Sequence, residues 1–444
     1  MQNVYTLMNE IFNIVIQIFF SLLILSFPIN LIENNYKSKF LSFSLIDKLS
    51  LNLIFFTNYL LLTSFFNINI NYIFIFYFVF IIILYTISFN KIDLKKIKFN
   101  YYFILILFFI FLISLDLAHE LYFGWDTSRN WYFKALNFFQ NQNIENLKNF
   151  HNDDYPHLGT FIWAFFWKLP NGNFEYLGRI FYIFIYVLSI FSIVDCLKIK
   201  FLEKIIFAIL IISLTYKYDL FSGTQDILIF SFLILSARFV YFFFDKDFKG
   251  DINFLIIILL ALSNVLFWIK NEGIFYSLFV IFSLLIANRI SIKKKLYLIL
   301  GSIFLVLFRI IMFNYYNIEL HKEYFEFGDT LNFDFLLIIE KLKIIMFYLF
   351  VNITRNLIYL ITIPLLIYTV VVYKIKNVTK FISCFFILNL AFIFSTYLFK
   401  MEEVELLIKA SMDRVLFQTS GVYLLIIIIF VNYYLNSSNK SKIK

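Results

Sequence analysis

Long apolar runs and short polar connections alternate along nearly the whole chain. The runs fall near 5–29, 51–66, 71–90, 100–118, 174–197, 205–217, 227–244, 253–269, 273–290, 296–314, 356–374, 380–399 and 415–436. Most are about 17 to 25 residues long, enough for a helix to cross a hydrocarbon core of ~30 Å. They are continuous rather than alternating with period two, which excludes a transmembrane β-barrel. The pattern predicts an all-α polytopic membrane protein with about thirteen transmembrane helices.

Two apolar stretches do not fit that description. Residues 156–169 are too short to span, and 333–350 carry Glu340, Lys341 and Lys343. Both are expected to be amphipathic helices lying at the membrane interface. Three larger connections result, at 119–173, 315–355 and 400–414. They divide the chain into N-terminal helices (1–99), a core bearing the loops (100–420), and the end of the last helix with its tail (421–444).

Composition agrees with the pattern. The chain is 62% hydrophobic and only 15% charged, too little polar surface for a soluble domain of 444 residues. Its 64 Phe, with abundant Ile, Asn, Lys and Tyr, suggest an A+T-rich genome, so an aromatic side chain alone argues little. The two cysteines, Cys196 and Cys384, offer neither a disulfide framework nor zinc spacing. No basic region precedes the first apolar run, so a cleaved signal peptide is not expected.

A net charge of +9 invites a nucleic-acid reading, but its distribution argues against one. The basic residues cluster in short connections, as in KIDLKKIK at 91–98, KIKFLEK at 198–204, RISIKKK at 289–295 and KIKNVTK at 374–380. That is the positive-inside pattern of a multi-pass protein. It places the N-terminus outside, the C-terminus inside and all three larger connections on the extracytoplasmic face. Glu10, Arg238 and Arg309 fall outside the scheme.

The candidate chemistry collects on that face. In HELYFGWDTSRNWYFKALNFF (119–139), Asp126 begins a helical pattern. Trp131, Ala135, Phe138 and Phe139 share one face, and Arg129, Asn130 and Lys134 lie elsewhere. This reads as an amphipathic surface helix. Asp126 is either its N-cap or a base kept ionised by the helix terminus. In HNDDYPHLG, Asp153 and Asp154 precede Tyr155 and Pro156, and Pro156 suits a helix start. His151 and His157 flank them, but no third partner stands at metal-ligand spacing. Gly223 and Asp226 sit where a span re-enters the membrane. Lys270 and Glu272 occupy a connection of about three residues. Arg414 lies at the outer end of the last span, with Gln418 four residues on and on the same face. It reads as a phosphate ligand or as a snorkelling side chain.

In order along the chain, W-D-(x)4-W-(x)2-K-A at 125–135, DYPHL at 154–158, GTQD at 223–226, KNEG at 270–273 and SMDRVLFQ at 411–418 resemble motifs of bacterial multi-pass membrane glycosyltransferases of the GT-C superfamily. The resemblance implies an inverting transfer of sugar from a polyprenyl-phosphate-linked donor to a lipid, polysaccharide or protein acceptor. It implies work in cell-envelope glycan biosynthesis, in the bacterial inner membrane, with the active site on the periplasmic side. Asp126 would be the general base. Asp154 would be a second carboxylate, positioning the acceptor or a divalent cation. Lys270, Arg414 and Gln418 would hold the donor phosphate. Glu120, Arg129, Lys134, Tyr155, His157, Asp226 and Glu272 complete the candidate set. The chain departs from simpler members of that group in placing three spans before residue 100, and in having Gln225 where a small residue is expected.

Two other readings compete. A transporter or flippase of lipid-linked saccharides would carry internal repeats and mid-span charges, whereas these charges sit at outer span ends. An O-antigen polymerase or ligase would carry an Arg-rich loop late in the chain, whereas the largest loop here is early and acidic.

Overall fold

A computed structural model describes residues 2–26, 43–88, 101–170, 172, 174–217, 220–245, 247–287, 290–318, 335–373, 376–399 and 404–441. Among them there is helix and no strand. The first four helices are α1 (Gln2–Leu25), α2 (Leu45–Ser64), α3 (Ile70–Ser88) and α4 (Tyr101–His119). A π-helical turn, Thr127–Trp131, runs into α5 (Tyr132–Phe139), followed by a 3-10 turn at Ile144–Asn149 and α6 (Leu158–Lys168). Then come α7 (Tyr176–Val194), α8 (Phe201–Thr215), α9 (Asp226–Phe244), α10 (Ile252–Ile269) and α11 (Glu272–Ile286). The chain ends with α12 (Ile292–Tyr315), α13 (Phe335–Arg355), α14 (Leu357–Tyr368), α15 (Lys376–Leu398) and α16 (Val404–Ser441).

Among the described residues, each apolar run expected to span falls largely on a helix. Among the described residues, nine helices are long and apolar enough to cross a membrane: α1, α2, α4, α7, α9, α10, α12, α15 and α16. Three shorter apolar helices begin at Ile70, Glu272 and Leu357. The run at 205–217 is a helix of 15 residues. The chain is thus a helical, multi-pass membrane protein.

Apart from Arg179 on α7 and Asp226 and Arg238 on α9, these two helices are apolar on nearly every side, and their burial follows from that. The α7 segment is 100% buried and the α9 segment 94%, whereas only 22% of α12 is covered. α9 is the pillar of the bundle, packed against α7, α16 and α10. α12 turns large apolar side chains such as Phe304 and Ile311 outward, as a lipid-facing helix does.

Three expectations are corrected. The stretch at 156–169 is no interfacial helix, because every residue from Leu158 to Trp167 in α6 is buried. It is wedged against α7, α5 and α2, so protein rather than lipid takes its apolar surface. α6 starts two residues after Pro156, with His157 at its N-cap position. The third loop, 400–414, is helical from Val404 onward, because Val404, Ile408, Met412 and Val415 form a buried stripe continuous with the last span. Residues 319–334, most of the first half of the second loop, lie outside the described residues. Its second half is α13, which packs on α16 and α15 with Leu336, Phe347 and Phe350 exposed.

Polar side chains gather at two opposite ends of the bundle. At one, Ser44 and Asp47 close a capping box at the start of α2. The same Asp47 accepts two bonds from Arg238 of α9, each 2.7 Å. Arg238 also donates to Cys196 Sγ (2.7 Å), and Asp195 lies 3.8 Å away. Lys204 pairs with Asp195 at 2.7 Å. Arg238 was unassigned from sequence, and this fork explains how it is tolerated beside an apolar core.

Breaking a buried pair strands a charge, so Asp47→Ala is expected to cost about 3–5 kcal/mol. The joint change Asp47→Leu with Arg238→Met should recover most of it. Thermal melting in detergent of the single and double variants measures this, and additive losses would show that the two side chains do not act as a pair.

Candidate functional site

The other polar end is built around one carboxylate. Asp226 is the first residue of α9, where the helix dipole favours a negative charge. Lys270 ends α10, where the dipole favours a positive one. Their side chains meet, with Lys270 Nζ 3.0 Å from Asp226 Oδ1. Gln418 Nε2 donates to the same oxygen. Arg414 Nε donates to Oδ2 at 2.8 Å. Arg414 and Gln418 stand one turn apart on α16 and reach the carboxylate together.

Arg414 also reaches the opposite way. Its Nη1 is ion-paired with Asp126 Oδ2. Lys270 turns its second contact to Glu272 Oε1, at 3.2 Å. Sequence reasoning singled out Asp126, Asp226, Lys270, Glu272, Arg414 and Gln418, and the fold brings all six together. Asp126 makes no capping bond, and Arg414 is tied inward to Asp226 rather than snorkelling. Lys270 and Arg414, expected to hold a donor phosphate, face three carboxylates in this structure.

A π-helical turn begins directly after Asp126, a local widening that often accompanies functional sites. Gly223 makes the close approach to it feasible. Its φ is +94°, and a Cβ there would lie 2.5 Å from Thr127 Cγ2. Gln225, the departure noted above, is buried and donates to Tyr182 Oη (3.2 Å) and Gly223 O (3.2 Å). It packs the entry to α9 rather than facing a cavity.

Two cavities meet at the Asp126–Arg414 pair. The outer one has a volume of about 440 Å³ and is lined by Tyr122, Ser222, Thr224, Asp226 and Phe417. Lys217 and Asp413, 2.9 Å apart and half exposed, line it as well. The inner one, about 340 Å³, is lined by Asn130, Trp131, Tyr155, Lys270, Glu272 and Gln418. Trp125, Asp126, Ala410 and Arg414 belong to both walls.

The remaining candidates behave differently. Asp154 joins the cluster through Asn271, whose Nδ2 donates to Asp154 Oδ2 at 3.1 Å. Arg309 in turn donates to Asn271 Oδ1 and to Phe267 O. Tyr155 lines the inner cavity, its ring 5.4 Å from that of Trp131. Arg129 is exposed and stacks over Trp125 at 4.5 Å. Glu120 is exposed and lines neither cavity. The surface-helix reading of 126–139 is corrected for Lys134 and Asn130, since both are buried. Lys134 Nζ donates to the carbonyls of Asn152 (2.6 Å) and Tyr155 (2.9 Å) and so pins the loop to the helix. Burial pushes its ammonium down to about 7, against the pull of Asp154 and Asp153.

His157 is also buried, and its Nε2 lies 2.7 Å from Ser64 Oγ. Burial, with Lys134 and Arg309 adding to it, pushes the imidazole down to about 3. His157 is a packing residue, and among the described residues no three of His, Cys, Asp and Glu converge as metal ligands. The carboxylates are engaged by cations and an amide instead, so the residues present do not fit a divalent ion.

Sequence reasoning missed Arg179. It is fully buried on α7, bonded twice to Glu175 (2.9 and 3.0 Å). It donates to Phe221 O (2.7 Å) and Tyr122 O (3.3 Å), tying together the segments that carry Asp226 and Asp126. Its signal was an arginine inside an apolar run with an acid four residues before it.

Compared with protein-family models, curated proteins and solved structures, the chain matches none. The resemblance described above rests on the motifs alone.

The unfolded imidazole of His157 titrates near 6.5, so the fold binds fewer protons than the unfolded chain between about 3 and 6.5. The stability this contributes is complete above that window and is lost as pH falls through it. By pH 5 the loss is about 2 kcal/mol. In detergent, His157→Gln is expected to lose less Tm than wild type between pH 7 and 5. Parallel curves would show that His157 is not held neutral.

Proposed function

We propose that the chain is a membrane glycosyltransferase of the GT-C kind, moving a sugar from a polyprenyl-phosphate-linked donor to a glycan, lipid or protein acceptor. The supporting observation is the meeting of two separate cavities at one carboxylate–guanidinium pair, Asp126 and Arg414. Two substrates enter by different routes and react where the routes join. The positive-inside pattern supports an extracytoplasmic location for this junction, on this reading at a bacterial inner membrane.

The chemistry follows from the groups at the junction. The acceptor hydroxyl oxygen attacks the anomeric carbon, and its proton passes to Asp126. The bond from that carbon to the phosphate oxygen breaks on the opposite side, inverting the centre. The electron pair leaves with the carrier phosphate, whose charge Arg414 stabilises. A phosphate needs no protonation to leave, so one carboxylate base and a cation suffice.

In the resting site Arg414 is already paired with Asp126. A donor phosphate competes for the same guanidinium, and its arrival frees the carboxylate to act as base. Asp226 keeps Arg414 in place throughout, because it holds Nε rather than Nη1. Lys270 supports Asp226 from the far side.

The test is release of carrier phosphate from labelled polyprenyl-phosphate sugars by protein purified in detergent, with membrane extract supplying acceptor. Asp126→Asn is expected to lower turnover by about 10²–10⁴-fold while Tm stays near wild type. Turnover equal to wild type would remove Asp126 as the base. Absence of release from every donor by wild type would remove the transfer reading.

A further inference from the structure

The inner cavity differs from the outer one in a specific way. Four side chains on its wall hold buried polar atoms without a hydrogen-bond partner inside the protein: Gln418 Oε1, Asn130 Oδ1, Glu272 Oε2 and Trp131 Nε1. No such atom belongs to the residues described on the wall of the outer cavity. Buried groups left unpaired are unfavourable, and a cluster of them marks a place where a ligand supplies the missing partners.

The chemistry of the set is informative. The orientation of Gln418 is not arbitrary: its Nε2 faces Asp226, so Oε1 faces away as an acceptor. Glu272 uses Oε1 on Lys270 and leaves Oε2. Acceptors therefore predominate, with one indole N–H as donor. A phosphate offers only acceptors and so satisfies none of these three acceptors, and the two cations on the same wall, Lys270 and Arg414, are already paired with carboxylates. A hydroxyl both donates and accepts, and several hydroxyls on one ring satisfy acceptors and the indole together. The rings of Trp131 and Tyr155 add apolar faces beside these groups. A volume of about 340 Å³ suits a small ligand of this kind.

We propose that the inner cavity is a polyol subsite that takes the uncharged, hydroxyl-bearing ring of one substrate. The phosphate and its lipid stay on the outer side of the Asp126–Arg414 wall. That the ring is subsequently transferred rests on the glycosyltransferase reading, whereas its binding here does not.

The experiment is saturation-transfer NMR on the full chain in lipid nanodiscs. The probes are a panel of neutral methyl glycosides, the matching uronates and inorganic phosphate. The variants are Trp131→Phe, which removes the indole N–H together with the five-membered ring, and Asn130→Leu, which removes the acceptor at nearly constant volume. Trp131 is buried, so Trp131→Phe is expected to lower Tm and is read below its melting range, whereas Asn130 Oδ1 has no partner in the protein and Asn130→Leu is expected to keep Tm near wild type. At least one neutral glycoside should give ring-proton signals. Each variant should bind it roughly tenfold more weakly, the worth of one good hydrogen bond. Its uronate and phosphate should bind less well.

The proposal is overturned if no neutral glycoside binds, if phosphate or uronates bind better, or if both variants bind as wild type. Glycoside binding without release of carrier phosphate from any donor would leave the subsite standing and remove the transferase. Transfer with unaltered binding in both variants would remove the subsite alone.

Discussion

Everything at the polar end of this bundle depends on the carboxylate of Asp226 being held by three donors at once. Taking an ionised group this far from water is expensive, and one partner does not offset it. Here the dipole of α9, two cations and an amide act together on both oxygens. The price is geometric: α9, α10 and α16 must approach one another within side-chain reach. Arg414 extends the constraint to Asp126, and Arg179 fixes the two segments that bring Asp126 and Asp226 side by side. A site of this sort is preorganised because its charges hold one another in place.

The same arrangement sets what the site can recognise. Its cations are spent on internal carboxylates, so an incoming anion must compete for Arg414 rather than fall into an empty positive pocket. On the proposed reading, chemistry is thereby coupled to arrival of the donor phosphate. The proposed ring subsite complements this with acceptors on the wall of the inner cavity, which would discriminate by hydroxyl pattern. On that reading one side of the Asp126–Arg414 pair takes phosphate and lipid, and the other a ring.

Much of this was legible in the sequence, for identifiable reasons. Continuous apolar runs announce helices, because the bilayer leaves no other way to satisfy the backbone. Asp126, Asp226, Lys270, Glu272, Arg414 and Gln418 were legible because ionisable or polar groups beside a bilayer are too costly to be incidental. What stayed hidden was depth. The residues of α6 look the same whether lipid or protein covers them. Lys134 and His157 look like surface residues until the loop folds over them. Partners distant in sequence, such as Asp47 with Arg238 or Arg309 with Asn271, leave no local pattern. The third connection failed as a loop because its Glu and Lys residues masked a helical stripe continuous with the span after it.

α9 is riveted at both extremities, by Asp226 at its head and by Arg238 twelve residues later. At 1.5 Å per residue those anchors stand about 18 Å apart, most of the thickness of a hydrocarbon core. A rod fastened this way can neither piston nor swivel without rupturing charges in an oily medium. On the proposed reading, the breathing that admits a long-tailed donor is borne by the rim of thinly covered helices, while this axle stays still.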